Sequence, residues 1–443
     1  MSVVSHRRVH QSRPGRPGRP GRTSVVATVV GNFVESFDWL AYGLFAPLFA
    51  AQFFPSDNPV TSLLGAFAVY GTGMLFRPLG GILLGKLADR RGRRPALMVA
   101  IALMGGGSLL IGVVPTYEHI GIIAPLVLLI ARLAQGVSSG GEWTAAATYL
   151  MEVAPPRRRC LYGSLFSMTT MAGAFVASLL GGALTANLGS ETMTSWGWRV
   201  PFLLGGVFSA VLLVLRSRLA ETEVFRREVR SRATRGSLRH VLRGHGRQVL
   251  LAAALVGGLG AVGGTWSTAV PAMGHRLAGS QTMFAVAVTV TGSMIALQPL
   301  LGALADRVDA GRFLAASSVV FAALGSYGYL TVTGTFGRLV LAYGSGVFFL
   351  GCVTVVLPKV LAQIFPPEVR GLGIGLPHAT TTALLGGIGP LLAAYAGERD
   401  ASAWFIAGLM TVVLLAWPAA TVARSLPARG TTPPRPLHAV PTS

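Results

Sequence analysis

Apolar segments recur along the whole chain and are separated by short polar connections. A run of about 20 apolar residues crosses a bilayer as a helix, and only helices and closed barrels satisfy every backbone polar group within the hydrocarbon core. Hydrophobic residues make up 52% of the 443 residues and charged residues only 12%. This balance excludes a chain of soluble domains. The sequence therefore predicts an all-α polytopic membrane protein.

The sequence predicts twelve transmembrane helices, six on each side of one long connection. The first half comprises residues 24–216, the second half residues 248–423, and residues 217–247 connect them. We expect this cytoplasmic connection to lie as an amphipathic helix on the inner leaflet, between cytoplasmic tails at 1–23, which is basic and disordered, and 424–443. The predicted spans are 24–52, 61–84, 95–115, 121–150, 161–187, 200–216, 248–273, 282–303, 313–334, 339–363, 372–397 and 402–423.

The basic residues are distributed unevenly across the predicted membrane. Thirty of the 37 Lys and Arg lie in the tails and in the connections on one side. The positive-inside rule places that side and both termini in the cytoplasm, so we expect a multi-pass protein of the inner (plasma) membrane. A net charge of +21 is also typical of nucleic-acid binding, but the placement of the charges favours the lipid bilayer as partner and no nucleic acid.

Polar residues inside two predicted spans fall on single helix faces. Ionisable groups within a bilayer are costly and usually line a cavity or pair with one another. At 100° per residue, the polar face of the first span is about 120° wide and that of the fourth span is about 80° wide. The residues on these faces are Asn32, Glu35, Asp38 and Tyr42 in the first span and Arg132, Gln135, Ser139 and Glu142 in the fourth.

Arg132 has a specific binding chemistry, and two further residues extend this candidate site. Arg132 beside Gln135 presents a planar guanidinium that matches a carboxylate. Arg77, near the inner end of the second span, can pair with Glu35 or Glu142, and it serves either helix packing or substrate binding. Trp266 either shapes a binding pocket or packs in the core.

A charged stretch, residues 85–95, separates the second and third spans and carries five positive charges and one negative charge. We expect a short cytoplasmic hairpin in which Gly85 and Gly92 allow turning and close packing, while Asp89 pairs with an arginine or a helix N-terminus. A degenerate copy containing Asp306 and Arg307 follows 217 residues later. The simpler alternative is a positive-inside loop with no gating role.

The pattern G-x-L-A-D-R-x-G-R-R in this stretch resembles the signature of the major facilitator superfamily, whose fold is two pseudo-symmetric six-helix halves. Residues 31–42, 77–81, 131–142 and 196–202 resemble its metabolite:proton symporter family, and residues 298–304 and 368–376 are most similar to the α-ketoglutarate permeases of that family. The resemblance implies a cytoplasmic lock between the charged stretch and the start of the eleventh span. Its gating residues would be Gly85, Asp89, Arg90, Gly92, Arg93, Arg94, Asp306, Arg307 and Arg370.

The function implied is proton-coupled import of a small organic acid by alternating access, with a dicarboxylate such as α-ketoglutarate, or a citrate-like acid, as substrate. The alternatives within the family are a zwitterionic solute such as proline or betaine, or a shikimate-like monocarboxylate. Since no nucleophile–base or metal constellation is visible, we expect a transporter and not an enzyme. We expect a monomer that uses the proton gradient and no cofactor.

The candidate residues divide between two tasks. The expected substrate-binding residues are Arg132, Gln135, Tyr42, Arg77 and Trp266, and the expected proton-coupling residues are Asp38, Glu35 and Glu142. We expect Asp38 to be the main coupling acid, because a substrate bound to a neighbouring Arg132 withdraws its positive charge and favours proton uptake. The structural alternative is that Asp38 only orders Tyr42 and Arg132.

Overall fold

The computed structural model describes residues 22–91, 93–140, 151, 154–218, 238–366 and 369–425. Within these residues the chain is almost entirely helical, which confirms the all-α prediction. The helices are α1 (Arg22–Phe53), α2 (Pro59–Leu75), α3 (Arg77–Arg91), α4 (Arg93–Val113), α5 (Tyr117–Ile120), α6 (Ile123–Ser139), α7 (Arg159–Ser195), α8 (Val200–Arg218), α9 (Leu238–Arg307), α10 (Ala310–Leu330), α11 (Phe336–Ile364), α12 (Arg370–Glu398) and α13 (Ser402–Ser425).

Among the described residues, eight helical segments are long and apolar enough to cross a membrane. One of them, Val241–Arg307, is 67 residues long, and Gly279 divides it with a φ of 78°, a left-handed conformation that glycine adopts without strain. The segment thus supplies two spans, as the sequence predicted. Together with α1 and the shorter apolar helices α6 and α13, these segments fit a fold of twelve spans.

The second predicted span, 61–84, is broken into α2 and α3 at Phe76. Pro78 has no backbone N–H to donate to the preceding turn, which weakens the helix at this point. The Phe76 N–H instead donates to the Gly73 carbonyl at 3.2 Å. The break places Arg77 at the first position of α3.

The charged stretch is helical on both sides of residue 92, so the expectation of a separate hairpin was wrong for the described part of it. Helix α3 continues to Arg91 and α4 begins at Arg93. The expectation of close packing at Gly85 was also wrong, because a Cβ added there would meet no atom within 4 Å. Gly92, the other glycine of that prediction, lies outside the described residues.

Glycines bring α2 and α3 against α6. A Cβ added at Gly73 would lie 2.9 Å from the Arg132 carbonyl oxygen, and one added at Gly136 would collide with the Gly73 carbonyl. Gly140 makes the same kind of approach to the carbonyl of Arg77. These backbone contacts fix the height and rotation of α6, and so determine where the side chain of Arg132 lies.

The two halves contact each other at both ends of the bundle. At the end that contains Asp306 and Lys359, here called the basic end, Ser167 of α7 and Thr354 of α11 are hydrogen-bonded at 2.7 Å. At the opposite end, the Asn58 side chain donates to Glu398 at 2.8 Å. The described helices are therefore joined across both ends of the interface between the halves.

Candidate functional site

A buried polar cluster connects three helices of the first half. It consists of Asp38 in α1, Ser108 in α4, and Arg132 and Gln135 in α6, all at most 1% exposed. The Gln135 amide donates to Asp38 at 2.7 Å and to Ser108 at 3.0 Å, and the Ser108 hydroxyl donates to Asp38. The closest Arg132 nitrogen lies 3.5 Å from an Asp38 oxygen. We refer to these four residues as the Asp38 cluster.

Helix periodicity and small residues together form the Asp38 cluster. Arg132 and Gln135 are three residues apart and project from the same face of α6. A Cβ at Gly107 of α4 would lie 2.7 Å from the Gln135 side chain, and a Cβ at Gly205 of α8 would lie 3.3 Å from an Asp38 oxygen. Glycine at both positions leaves the room that the buried polar side chains occupy.

Arg132 is held by aromatic rings as well as by its carboxylate. Its guanidinium carbon lies 3.9 Å from the centre of the Tyr42 ring and 5.2 Å from that of Trp39, distances that favour cation–π attraction. Among the described residues, Nε and Nη2 of Arg132 and Oε1 of Gln135 have no hydrogen-bond partner. A buried donor without a partner is costly. The cluster can therefore offer the N–H groups of two more nitrogens to an anion.

Arg77 and Glu35 form a second ion pair beside the Asp38 cluster. Their closest atoms are 3.7 Å apart and both side chains are partly exposed. The Arg77 guanidinium carbon lies 4.4 Å from the centre of the Trp39 ring, so this tryptophan contacts both arginines. The structure thus pairs Arg77 with Glu35, one of the two acids that the sequence offered. The other, Glu142, lies outside the described residues.

Tyr42 supports Arg132 and uses its hydroxyl elsewhere. The hydroxyl donates to the Ala66 carbonyl at 2.9 Å, and the ring stacks on Tyr70 with centres 5.9 Å apart. The phenol is fully buried. These contacts make Tyr42 a positioning residue for the guanidinium, and its direct contact with substrate stays a prediction.

Trp266 lies within the second half, in α9. Its indole N–H donates to the Ala342 carbonyl at 2.7 Å, and its ring packs against Phe321 and Tyr329 with centres 5.1 and 5.8 Å away. Trp266 is fully buried. These contacts are those of a core residue, and a role in substrate binding stays a prediction.

Of the expected gating residues, Asp306 has the most informative surroundings. Its carboxylate accepts hydrogen bonds from the backbone N–H groups of Cys160, at 2.9 Å, and Leu161, at 3.0 Å, in the first turn of α7. The Lys359 ammonium lies 3.8 Å away. An anion at a helix N-terminus satisfies free N–H groups and favours the helix dipole. Because α7 belongs to the first half, this carboxylate joins the two halves at the basic end.

The other expected gating residues are described less fully. Arg90 and Arg307 are exposed at the ends of α3 and α9. The side chains of Asp89, Arg93, Arg94 and Arg370 lie outside the described residues, although their backbones belong to α3, α4 and α12. Their gating roles stay predictions.

Ser108 and Trp39 belong to the site, although neither is among the site residues predicted from the sequence. Ser108 gives no periodic signal of its own, since a helical serine commonly donates to the carbonyl four residues before it, and the Met104 carbonyl lies 3.1 Å from the Ser108 hydroxyl. Trp39 follows Asp38 directly and lies within the motif at 31–42. Its position between Arg77 and Arg132 depends on how the helices pack, which the sequence does not specify.

Comparisons with known proteins agree with this architecture. The family model of the Major Facilitator Superfamily matches residues 28–279. The chain is 32% identical over 407 residues to a citrate-proton symporter of Salmonella typhi, which covers 89% of this chain and 93% of the relative. It is 33% identical over 405 residues to the alpha-ketoglutarate permease of Escherichia coli K12, which covers 88% and 91% of the two chains.

More distant relatives and solved structures extend the comparison. A proline/betaine transporter of Salmonella typhimurium is 28% identical over 434 residues, covering 93% of this chain and 85% of the relative. The E. coli xylose transporter, in a partially occluded inward-open conformation, superimposes with a TM-score of 0.68 at 14% identity, covering 88% of this chain and 95% of that one. The structural likeness shows the shared fold. By its family match and its relatives, the chain belongs to the Major Facilitator Superfamily of membrane transporters.

Proposed function

We propose that this protein is a proton-coupled symporter that imports a small organic acid, a dicarboxylate or a citrate-like acid, across the inner membrane by alternating access. The observation that carries the proposal is the burial of Arg132 together with its incomplete hydrogen bonding. It is fully buried, it lies 3.5 Å from a carboxylate that can take up a proton, and two of its nitrogens have no partner among the described residues.

The unpaired nitrogens of Arg132 suit a substrate carboxylate. A guanidinium can donate two parallel hydrogen bonds to one carboxylate, an arrangement stronger and more directional than a single neutral hydrogen bond. Asp38 contacts only Nη1, which leaves Nε and Nη2 for the substrate. The names of the citrate and alpha-ketoglutarate relatives support a carboxylate as the ligand.

Proton coupling follows from the contact between Arg132 and Asp38. While Arg132 is paired with Asp38 and no substrate is bound, its positive charge favours the ionised carboxylate. A bound substrate carboxylate takes a share of that charge and thereby favours proton uptake by Asp38. Substrate and proton then bind together, which is the condition for symport.

The membrane potential opposes import of an anion unless protons compensate its charge. Moving one negative charge inward costs about 2.3 kcal/mol per 100 mV of inside-negative potential. Import of a dianion becomes electroneutral with two protons, and an acid in addition to Asp38 would carry the second one. Glu35 suits this role because it is paired with Arg77, whose guanidinium shares the Trp39 ring with Arg132.

The aromatic residues favour an acid over a quaternary ammonium solute. Betaine recognition would use the faces of Trp and Tyr rings to attract the cationic group. In this chain the guanidinium groups of Arg77 and Arg132 already lie against Trp39 and Tyr42. Because proline/betaine transporters are also among the relatives, a zwitterionic solute is the alternative substrate class.

Alternating access requires contacts between the halves that break at one end while those at the other end persist. At the basic end, which we assign to the cytoplasm together with both termini, the Asp306 carboxylate and the Ser167–Thr354 pair supply such contacts. The Asn58–Glu398 hydrogen bond supplies one at the opposite end. We infer that inward opening separates α7 from α9 and α11.

The test is uptake by the purified protein in proteoliposomes with an imposed pH gradient, acidic outside. We expect accumulation of labelled α-ketoglutarate or citrate that a protonophore abolishes and that excess proline or betaine does not inhibit. Empty liposomes provide the background. Accumulation of betaine or proline, with no uptake of any carboxylic acid, would overturn the proposal.

A further inference from the structure

Gln298 is an unusual residue for the interior of the second half. It lies in α9, its side chain is fully buried, and neither its amide nitrogen nor its amide oxygen has a hydrogen-bond partner among the described residues. Buried amides are nearly always hydrogen-bonded, because removing the group from water without compensation is costly. A partner that is present during only part of the transport cycle would explain why this amide is open here.

The neighbouring helix leaves space for the amide. Gly351 of α11 faces Gln298, and a Cβ added to this glycine would lie 2.6 Å from the Gln298 nitrogen. The same Cβ would collide with the end of Met294, one turn earlier on α9. We call the feature formed by Gln298, Gly351 and Met294 the Gln298 notch. In this notch the Gln298 amide lies beside the Met294 side chain, whose flexible thioether adapts to neighbours of different shape.

The Gln298 notch lies near the part of the interface that opens at the basic end. Thr354, three residues after Gly351 on α11, is hydrogen-bonded to Ser167 of the first half. Asp306, which caps α7, follows Gln298 by eight residues on α9, about 12 Å along a helix. When α7 moves away from α9 and α11, this region of the second half becomes accessible from the basic end.

We propose that the Gln298 notch is a second binding contact for the transported acid, used on the inward-open side of the cycle. The inference rests on the proposed function. The amide nitrogen donates to a substrate carboxylate, and the amide oxygen accepts from a hydroxyl or a protonated carboxyl group. An amide does not titrate between pH 5 and 9, so this contact holds the acid without changing the number of bound protons. In this respect the contact differs from the one at Arg132 and Asp38, where substrate binding is coupled to proton uptake.

The test compares Gln298→Leu with the parent in inside-out vesicles, where the basic end faces the added substrate. We expect the KM for the acid to rise about tenfold, as for the loss of one charge-assisted hydrogen bond, while the pH profile of transport is unchanged. Gln298→Glu, which places a carboxylate beside a carboxylate, is expected to raise the KM further. Gln298→Asn, which keeps an amide, is expected to recover part of the loss.

A matched control separates this effect from altered packing. Leu297 is adjacent on α9 but 40% exposed, and Leu297→Met is expected to leave the KM unchanged. If Gln298→Leu is folded and its KM stays within twofold of the parent, the amide binds only water and the inference is wrong. If the parent carries betaine or proline and no acid, the proposed function fails instead, and the KM for that solute in Gln298→Leu still reports whether the notch contacts substrate.

Discussion

The two halves of the bundle share an architecture and differ in the chemistry of their interiors. In the first half, Asp38 and Arg132 are charged residues at most 1% exposed. Among the described residues of the second half, no Asp, Glu, Lys or Arg is buried, and its buried polar side chains are Ser, Thr, Gln and His. Among the described residues, the buried charge of the bundle therefore lies in the first half.

Helix packing follows the same rule in both halves. Gly136 meets the backbone of Gly73 in the first half, and Gly264 meets the backbone of Gly386 in the second. Close backbone contact of this kind drives helix association in lipid, where apolar side chains gain little from burial against one another. The fold thus depends on small residues and leaves the identity of the buried polar groups free to differ.

Stability alone does not account for the buried ion pair of the first half. Replacing a buried ion pair by apolar residues is often neutral or stabilising, whereas removing one partner is strongly destabilising. An interior such as that of the second half can evidently be built without such a pair. We infer that Asp38 and Arg132 are kept for transport, and the following variants test how far the asymmetry extends.

The largest effect is expected for Asp38→Asn, which keeps the size of the side chain and removes the proton site. Accumulation driven by a pH gradient should fall to the level of empty proteoliposomes, because transport is no longer linked to proton movement. Exchange of internal for external substrate should persist, since it needs no net proton transfer. Both are measured with labelled acid in the same vesicles.

The control for this variant is Asp57→Asn, a carboxylate exposed in the connection between α1 and α2, which should accumulate substrate normally. Accumulation by Asp38→Asn at the parent level would show that the coupling acid lies elsewhere. Glu35, the other carboxylate on the described polar face of α1, would then be substituted next.

The next effect in size is expected for Arg132→Lys, which keeps the charge and loses the planar fork. A charge-assisted hydrogen bond is worth about 1.5–3 kcal/mol, so the affinity for the acid should fall by roughly tenfold or more. Binding is measured by competition with labelled substrate. The control is Arg338→Lys, at an exposed position. Unchanged affinity in Arg132→Lys would show that another residue binds the substrate carboxylate, and Arg77 would be tested next.

The polar face of the first half was predictable because charged residues in apolar helices must point inward. Spacing alone placed Asp38 and Arg132 on inward faces, and the structure brings the two together. Ser108 was not predictable, since its hydroxyl also bonds within its own helix. The surroundings of Trp266 and Gln298 depend on which glycine faces each of them, Gly346 and Gly351, and sequence periodicity does not specify that contact.

Some helix boundaries were likewise predictable from the sequence, and others were not. Span positions followed from apolar length, whereas the break at Phe76 arises from local backbone geometry next to Pro78. The charged stretch at 85–95 has turn-like residues, yet it is helical up to Arg91 and again from Arg93. Helix continuation there satisfies backbone groups that a hairpin would leave to water, and this gain exceeds the weak preference of a single Gly85 for a turn.

A smaller effect is expected at the contact between the halves, through Asp306→Asn. The variant keeps the shape of the cap on α7 but loses its charge, and a helix cap with favourable charge is worth about 0.5–2 kcal/mol. The closed basic end should open more often by a factor of roughly 2–30. Labelling of Cys160, buried at the start of α7, with a soluble thiol reagent measures the opening in a Cys352→Ser background.

The control for the Asp306 variant is Glu191→Gln, an exposed acid near the other end of α7, which should label at the parent rate. An equal labelling rate in Asp306→Asn would show that this cap does not hold the halves together. The Ser167–Thr354 pair would then be the contact to test.

The smallest effect is expected for Trp266→Phe in the second half. This variant removes the hydrogen bond to the Ala342 carbonyl and keeps most of the ring contacts with Phe321 and Tyr329. The loss of one neutral hydrogen bond costs about 1 kcal/mol of stability, which thermal unfolding in detergent should detect as a small decrease in Tm. Because the indole is packed among second-half residues, the KM for the acid should stay within about twofold of the parent. A tenfold rise in KM without a change in Tm would place Trp266 in the substrate pathway and show that the second half binds the acid through more than the Gln298 notch.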